Sequence, residues 1–213
     1  MFRRRQMRTE NSLRWPIIPS RSMLLVIDMQ NDFVRAGAVM EVAAARERLP
    51  AMQSVLDCCR RHDVPVAYTR HVLYDGFDIS PIETQMHPQL TGRGLREGTS
   101  GAEVVEELAP RPGDAIIVKH RYDAFYNTNL ETLIRTLRGN ATIDTLIIIG
   151  TVTSVCCEST ARSAFMRDFK VAFVGDATGG FDDASQQATQ AAIESAFGQV
   201  LSAEALARAL ARG

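Results

Sequence analysis

A parallel β-sheet covered by helices on both faces is the fold class this sequence predicts, and three observations predict it. Short apolar runs rich in Val and Ile recur along the chain, and segments of helical periodicity separate one run from the next. No run approaches the roughly 18 apolar residues of a membrane helix.

The chain opens on MFRRRQMRTENSLRW, a basic stretch with no apolar segment of signal-peptide type behind it. Residues 1–22 are therefore expected to form a mobile or partner-docked tail ahead of a single domain at 23–213. The apolar runs MLLVID (23–28), VPVAYTR (64–70), DAIIVKH (114–120), TLIIIG (145–150) and KVAFVGD (170–176) read as buried strands, with a sixth, shorter one at QVLSA (199–203). Helical patterns fall at about 48–62, 101–108, 128–138, 154–168, 183–197 and 203–211. The segment 72–100, with its Gly, Pro and polar residues, is the longest irregular stretch and is expected to be a lid or binding loop.

Composition limits the function. The 213 residues are 46% hydrophobic and 23% charged, ordinary for a globular protein, and a net charge of -1 gives no reason to expect nucleic acid as a partner. No membrane partner is expected either. All four cysteines fall in two adjacent pairs, Cys58-Cys59 and Cys156-Cys157, which rarely bridge. With no CxxC or zinc-like spacing, a reducing cytoplasm is the expected compartment.

Ligands of open parallel sheets bind beyond the carboxyl ends of the strands. Here those ends carry Asp28, then Arg70 and His71, then Lys119, His120 and Arg121, then Gly150 leading to the two cysteines, and Asp176. Thr153 or Ser154 is the natural cap of the helix that follows the fourth strand. Helical spacing then separates the thiols. Cys157 aligns with Ala161, Ala164 and Phe165 on an apolar stripe and is expected in the core. Cys156 aligns with Ser159, Thr160 and Ser163, and is expected near the open sheet edge, where a helix start favours a thiolate. In LPAMQSVLDCC the same spacing makes Cys59 core and Cys58 its partly exposed neighbour. A nucleophilic thiol needs a proton acceptor and charge stabilisation. Asp28 with Lys119 can supply these, and so can His71 or His120 in a Cys-His arrangement.

The blocks DMQNDF (28–33), VKHRYDAF (118–125) and GTVTSVCCESTARSAF (150–165) resemble the three signature blocks of the isochorismatase-like cysteine hydrolases, in order, over about residues 15–200. The resemblance implies a three-layer α/β/α sandwich on a six-stranded parallel sheet. It implies a catalytic triad of Asp28, Lys119 and Cys156 rather than a histidine mechanism. It implies a cis peptide between Thr151 and Val152 and an oxyanion hole from the N–H groups of Val152 and Cys156. Motif transfer makes Phe33, Tyr122, Phe125 and Asn127 substrate-binding residues, with Arg70, His71 and Arg121 available for a substrate carboxylate.

Nicotinamidases of this superfamily hold a metal through an Asp-x-His cluster after the second strand. TRHVLYDGFD has only His71, so no metal ligand and no cofactor are expected. WP at 15–16, EGTSGAEVVEELAPRPGD (97–114), RYDAFYNTNL (121–130) and CESTARSAF (157–165) look more like ureidoacrylate and carbamoyl amidohydrolases, although an aliphatic residue is usual at position 157. The expected activity is thus thiol-dependent cleavage of the C–N bond in a small ureide or carbamoyl substrate, with ammonia released. A vinyl-ether hydrolase of isochorismatase type, a nicotinamidase-like amidase and a non-catalytic member are the alternatives. The resemblance also implies a homodimer or homotetramer.

Overall fold

The computed structural model describes residues 7–9, 11–137 and 142–212. Six parallel strands form one sheet in the order β3-β2-β1-β4-β5-β6. They are β1 (Ser22–Ile27), β2 (Val66–His71), β3 (Ala115–Lys119), β4 (Thr145–Thr151), β5 (Lys170–Gly179) and β6 (Gln199–Leu201). The strand order reverses between β1 and β4, which pair in register from Ser22↔Thr145 to Ile27↔Gly150. Such a switch point opens a crevice at the strands' carboxyl ends.

Alternation along the strands divides the core into two layers. Leu24 and Val26 of β1 join one apolar cluster with Met52, Val55, Leu56 and Cys59 of α3 (Leu49–Arg61) and Leu206 and Leu210 of α8 (Ala203–Leu210). Met23, Leu25 and Ile27 join the opposite cluster with Leu130 and Ile134 of α5 (Leu130–Thr136) and Ala161 and Ala164 of α6 (Glu158–Phe165). Two buried faces explain why the strands read as continuous apolar runs rather than alternating ones. Each fully buried Leu or Val contributes about 1.5–3 kcal/mol, so Leu56→Ala in α3 is expected to cost about 2–5 kcal/mol. At the switch point Gly150 has φ 122°, and a Cβ there would lie 2.1 Å from the Ile27 carbonyl oxygen. Only glycine lets β4 run this close to the end of β1.

Three expectations about the elements need correction. Residues 101–108 form no α-helix but two single 3-10 turns, Ser100–Ala102 and Glu106–Leu108. The stretch between them is held against the turn after β1: Val104 bridges Gln30, Asn31 N–H donates to Glu103 O (3.0 Å) and Val105 N–H to Met29 O (2.9 Å). The strand expected to end at Asp176 continues to Gly179, because Thr178 and Gly179 pair with Gly150 and Thr151 beyond a bulge. Asp176 itself accepts the Ala203 N–H at 2.8 Å at the start of α8, away from the crevice. Cys58 is buried like Cys59, its sulfur 3.8 Å from His62 Nδ1.

Much of the stretch expected to be a mobile or partner-docked tail packs on the chain itself. Arg8 N–H donates to Val200 O, Arg8 and Arg14 both pair with Glu194, and Ile17 is buried in the core. Residues 1–6 and 10 of that stretch, and residue 138 of the helix expected at 128–138, lie outside the described residues. Among the described residues no helix is long and apolar enough to cross a membrane.

Between β2 and β3 the chain makes one excursion over the crevice. Leu73 and Arg96 pair side by side, with Leu73 N–H donated to Leu95 O (2.8 Å) and Glu97 N–H to Leu73 O (3.3 Å). Inside the excursion Arg96 donates to the carbonyls of Leu90 and Gly94, both at 2.8 Å, bracing it from within. It carries the short helix α4 (Pro81–Met86), whose first turn is capped by Ser80 accepting the Glu83 N–H.

Candidate active site

Asp28, Lys119 and Cys156 converge at the switch point because their strands end there. Asp28 follows β1, and a positive φ of 48° turns it into the crevice. Thr69 on the neighbouring strand β2 donates its hydroxyl to Asp28 Oδ1 at 2.6 Å. Lys119 ends β3, two strands from β1, about 10 Å away at the usual strand spacing. Its long stem spans β2 and brings Nζ to 2.7 Å from Asp28 Oδ2, while Nζ also donates to Arg121 O at 3.0 Å. Asp28 and Lys119 are fully buried and Cys156 is 2% exposed. Oδ2 has no hydrogen bond of favourable angle, so its tie to Lys119 is an ion pair and its acceptor capacity is not filled. Burial disfavours the ammonium, but the Asp28 carboxylate and the Cys156 sulfur outweigh it and hold Lys119 above its ordinary range.

The expected thiolate at Cys156 is not what this site favours at rest. Burial pushes the thiol up, more strongly than Lys119 draws it down, and the Asp28 carboxylate pushes the same way as burial. The protonated thiol is therefore the favoured resting form, and its sulfur lies within 4.8 Å of an Asp28 carboxylate oxygen. The expected capping hydroxyl is also absent: Val152 precedes the π-type turn Thr153–Cys157 with no side-chain cap, and Thr153 Oγ1 is buried without a partner. Val152 O accepts from the N–H groups of Val155 and Cys157. The Thr151–Val152 peptide is cis. Cys157 is fully buried in the same layer as Ala161 and Ala164.

The cavity bounded by Cys156 has a volume of about 20 Å³. Phe33, Tyr122 and His71 line it, as expected from the sequence. Four residues assigned to substrate binding do not. Phe125 is core, its ring 6.0 Å from that of Phe169 and covered by the Arg167 guanidinium at 4.8 Å. Asn127 is exposed in a turn with φ 53°. Arg70 donates to Ala102 O (2.9 Å) and pairs with Glu103 (2.8 Å), and Arg121 donates to Asp78 O (2.9 Å), so both guanidiniums are engaged outside the cavity. His120 is likewise turned away, with Nδ1–H donating to Val72 O at 2.8 Å.

The walls that sequence reasoning missed come mainly from the excursion: Glu83 and His87 of the α4 region, Leu90 and Leu95, joined by Phe181 after β5. One signal could have found the first of these. Ser80-Pro81-Ile82-Glu83 carries a capping serine, a proline at the first helical position and a glutamate three residues on, a helix-start pattern.

Possible metal donors on Asp28, His71 and Cys156 lie within 4.8 Å of one another. The set does not suit a resident cation, because the Lys119 ammonium already stands 2.7 Å from the Asp28 oxygen such an ion would need.

The chain is similar to known proteins over most of its length. The Isochorismatase domain family matches residues 22–205. A ureidoacrylate amidohydrolase, RutB, of Rhizobium rhizogenes is 32% identical over 205 residues, covering 85% of this chain and 80% of the relative. Nicotinamidase 3 of Arabidopsis thaliana is 32% identical over 190 residues, covering 88% and 87%. A cysteine hydrolase from Pseudomonas syringae pv. phaseolicola 1448A superposes with a TM-score of 0.87 at 31% identity, over 94% of this chain and 97% of that one.

Proposed function

Because the chain belongs to the isochorismatase family of hydrolases, we propose that it is a cysteine-dependent amidohydrolase that cleaves the C–N bond of a small ureide or carbamoyl compound and releases ammonia. The observation that carries this reading is the buried ion pair of Asp28 and Lys119 at 2.7 Å, with the Cys156 sulfur within 4.8 Å of the Asp28 carboxylate. As the substrate carbonyl approaches, Asp28 takes the thiol proton and the sulfur attacks the carbon. The N–H groups of Val152 and Cys156 receive the developing oxyanion. Asp28 passes its proton to the leaving nitrogen, ammonia departs and a thioester remains on Cys156. A water that gives its proton to Asp28 then cleaves the thioester, and the acid and the free thiol are released. Lys119 keeps a positive charge beside both the carboxylate and the sulfur throughout.

The proposed compartment is the cytoplasm and the proposed assembly a homo-oligomer. Ammonia release measured over amides, ureides and isochorismate, with the acyl-enzyme sought by intact mass, tests the reading. Turnover of ureides with a mass adduct that disappears in Cys156→Ala supports it. Turnover of isochorismate alone, undiminished in Cys156→Ala, refutes it.

A further inference from the structure

We infer that Glu83 makes this site reject acidic substrates, so that the compound cleaved beside Cys156 is neutral or positively charged at the end that meets the excursion. This rests on the amidohydrolase reading above and specifies its substrate class.

The sequence suggested a basic clamp for a substrate carboxylate, and the structure removes it. Arg70 and Arg121 are engaged elsewhere, and neither lines the cavity. The cavity instead receives a carboxylate. Glu83 is 8% exposed on a helix whose neighbouring residues Ile82 and Met86 are 71% and 72% exposed, so it is the residue α4 turns inward. Its Oε1 stands 3.5 Å from His71 Nε2, longer than a hydrogen bond, and that nitrogen is buried with no other partner. Burial and the Lys119 charge keep the imidazole neutral, so it does not cancel the carboxylate.

The Glu83 carboxylate and an unpartnered buried ring nitrogen thus face each other across 3.5 Å. A carbamoyl NH2 or an ammonium can donate to the carboxylate and sit against the imidazole at once. A second carboxylate would face Glu83 in a confined space of about 20 Å³. Like charges brought together there oppose binding far more than they would in water. Ureidoacrylate, the compound for which the amidohydrolase RutB is named, is an acid of the disfavoured kind.

The charge of the cavity can be read without any hydrolysis. Iodoacetamide and iodoacetate deliver nearly the same group to a thiol and differ in one negative charge. Labelling of Cys156 is followed by peptide mass, with Cys156→Ala as the control for the other three cysteines. Relative to free cysteine, the wild type is expected to favour iodoacetamide over iodoacetate by at least about tenfold, and Glu83→Gln to reduce that preference several-fold, chiefly by raising the iodoacetate rate. In the substrate arm, Glu83→Gln is expected to lower KM for N-carbamoylglycine relative to KM for biuret, which holds or rises. An alkylation preference that Glu83→Gln leaves intact, or a wild type that favours iodoacetate, overturns the inference. If neither ureide is hydrolysed, the amidohydrolase reading fails, and the alkylation ratio still decides the role of Glu83.

Discussion

The hydroxyl of Thr69 accepts the Asp28 backbone N–H at 3.0 Å and donates to Asp28 Oδ1 at 2.6 Å. One side chain thus fixes both the main chain and the carboxylate of the same residue, and leaves Oδ2 to Lys119 and the thiol. Thr69→Val keeps the shape and removes both bonds. Turnover is expected to fall about 10- to 100-fold through misplacement of the carboxylate, and Thr69→Ser to restore most of it. Steady-state kinetics on a turned-over ureide, with circular dichroism as the fold control, checks this. Undiminished kcat in the valine variant would show that Asp28 is oriented by something else.

The two neighbouring thiols should respond oppositely to substitution. Cys156→Ala is expected to abolish C–N hydrolysis with a melting temperature close to wild type. Cys157→Ser buries a hydroxyl among Ala161, Ala164 and the sheet, and is expected to lose about 1–3 kcal/mol while remaining active. Equal losses of activity in the two variants would contradict the assignment.

His71 gives stability a pH dependence of defined sign. Burial, aided by Lys119, holds its folded-state pKa well below the ordinary 6.5. Below that value the unfolded chain takes up a proton the folded chain refuses, so stability falls as pH falls, by up to about 1.4 kcal/mol per pH unit. Glu83 acts in the opposite sense at lower pH, because burial raises its pKa above the ordinary 4.5 and the folded chain protonates first. The His71 contribution is therefore clearest just below its ordinary value. Urea unfolding at about pH 5.5 and pH 7.5 should show a larger loss in the wild type than in His71→Asn. Equal losses would place the imidazole in contact with solvent.

Activity is expected to survive exhaustive chelation. The Lys119 ammonium holds the place beside Asp28 that a cation would take, and the thiol needs no metal to meet its base. Inactivation by chelators that added zinc or iron reverses would overturn this.

The strands were legible because burial on both faces leaves a continuous apolar signature, and Asp28 and Lys119 were legible as polar residues closing β1 and β3, although strand ends alone did not separate their grouping with Cys156 from a pairing with His71 or His120. The helix expected at 101–108 failed for a local reason. Ala102 O accepts from both Gln30 Nε2 (2.9 Å) and Arg70 Nε (2.9 Å), and a Cβ at Gly101 would lie 2.3 Å from the Asp32 carboxylate. Backbone committed to neighbours in this way is not free to coil, and sequence periodicity does not register such tertiary demands. Phe125 and Asn127 were misplaced because adjacency to a motif says nothing of direction: the Tyr122 ring reaches the cavity and the Phe125 ring lies against Phe169. Glu83 was missed because the helix start at Ser80–Glu83 that turns it inward was read as part of one irregular stretch.

The pairing of Leu73 with Arg96 closes the excursion at its base. Its two ends are neighbours before any ligand arrives, and none of the triad residues lies within it. Such a segment behaves as a cassette: it can be exchanged, lengthened or rewritten in charge without altering the distance from Asp28 to Lys119. Divergence of substrate preference on this scaffold then needs no change in its chemistry, and two proteins with the same reactive residues can part company through a single inward-facing side chain such as Glu83.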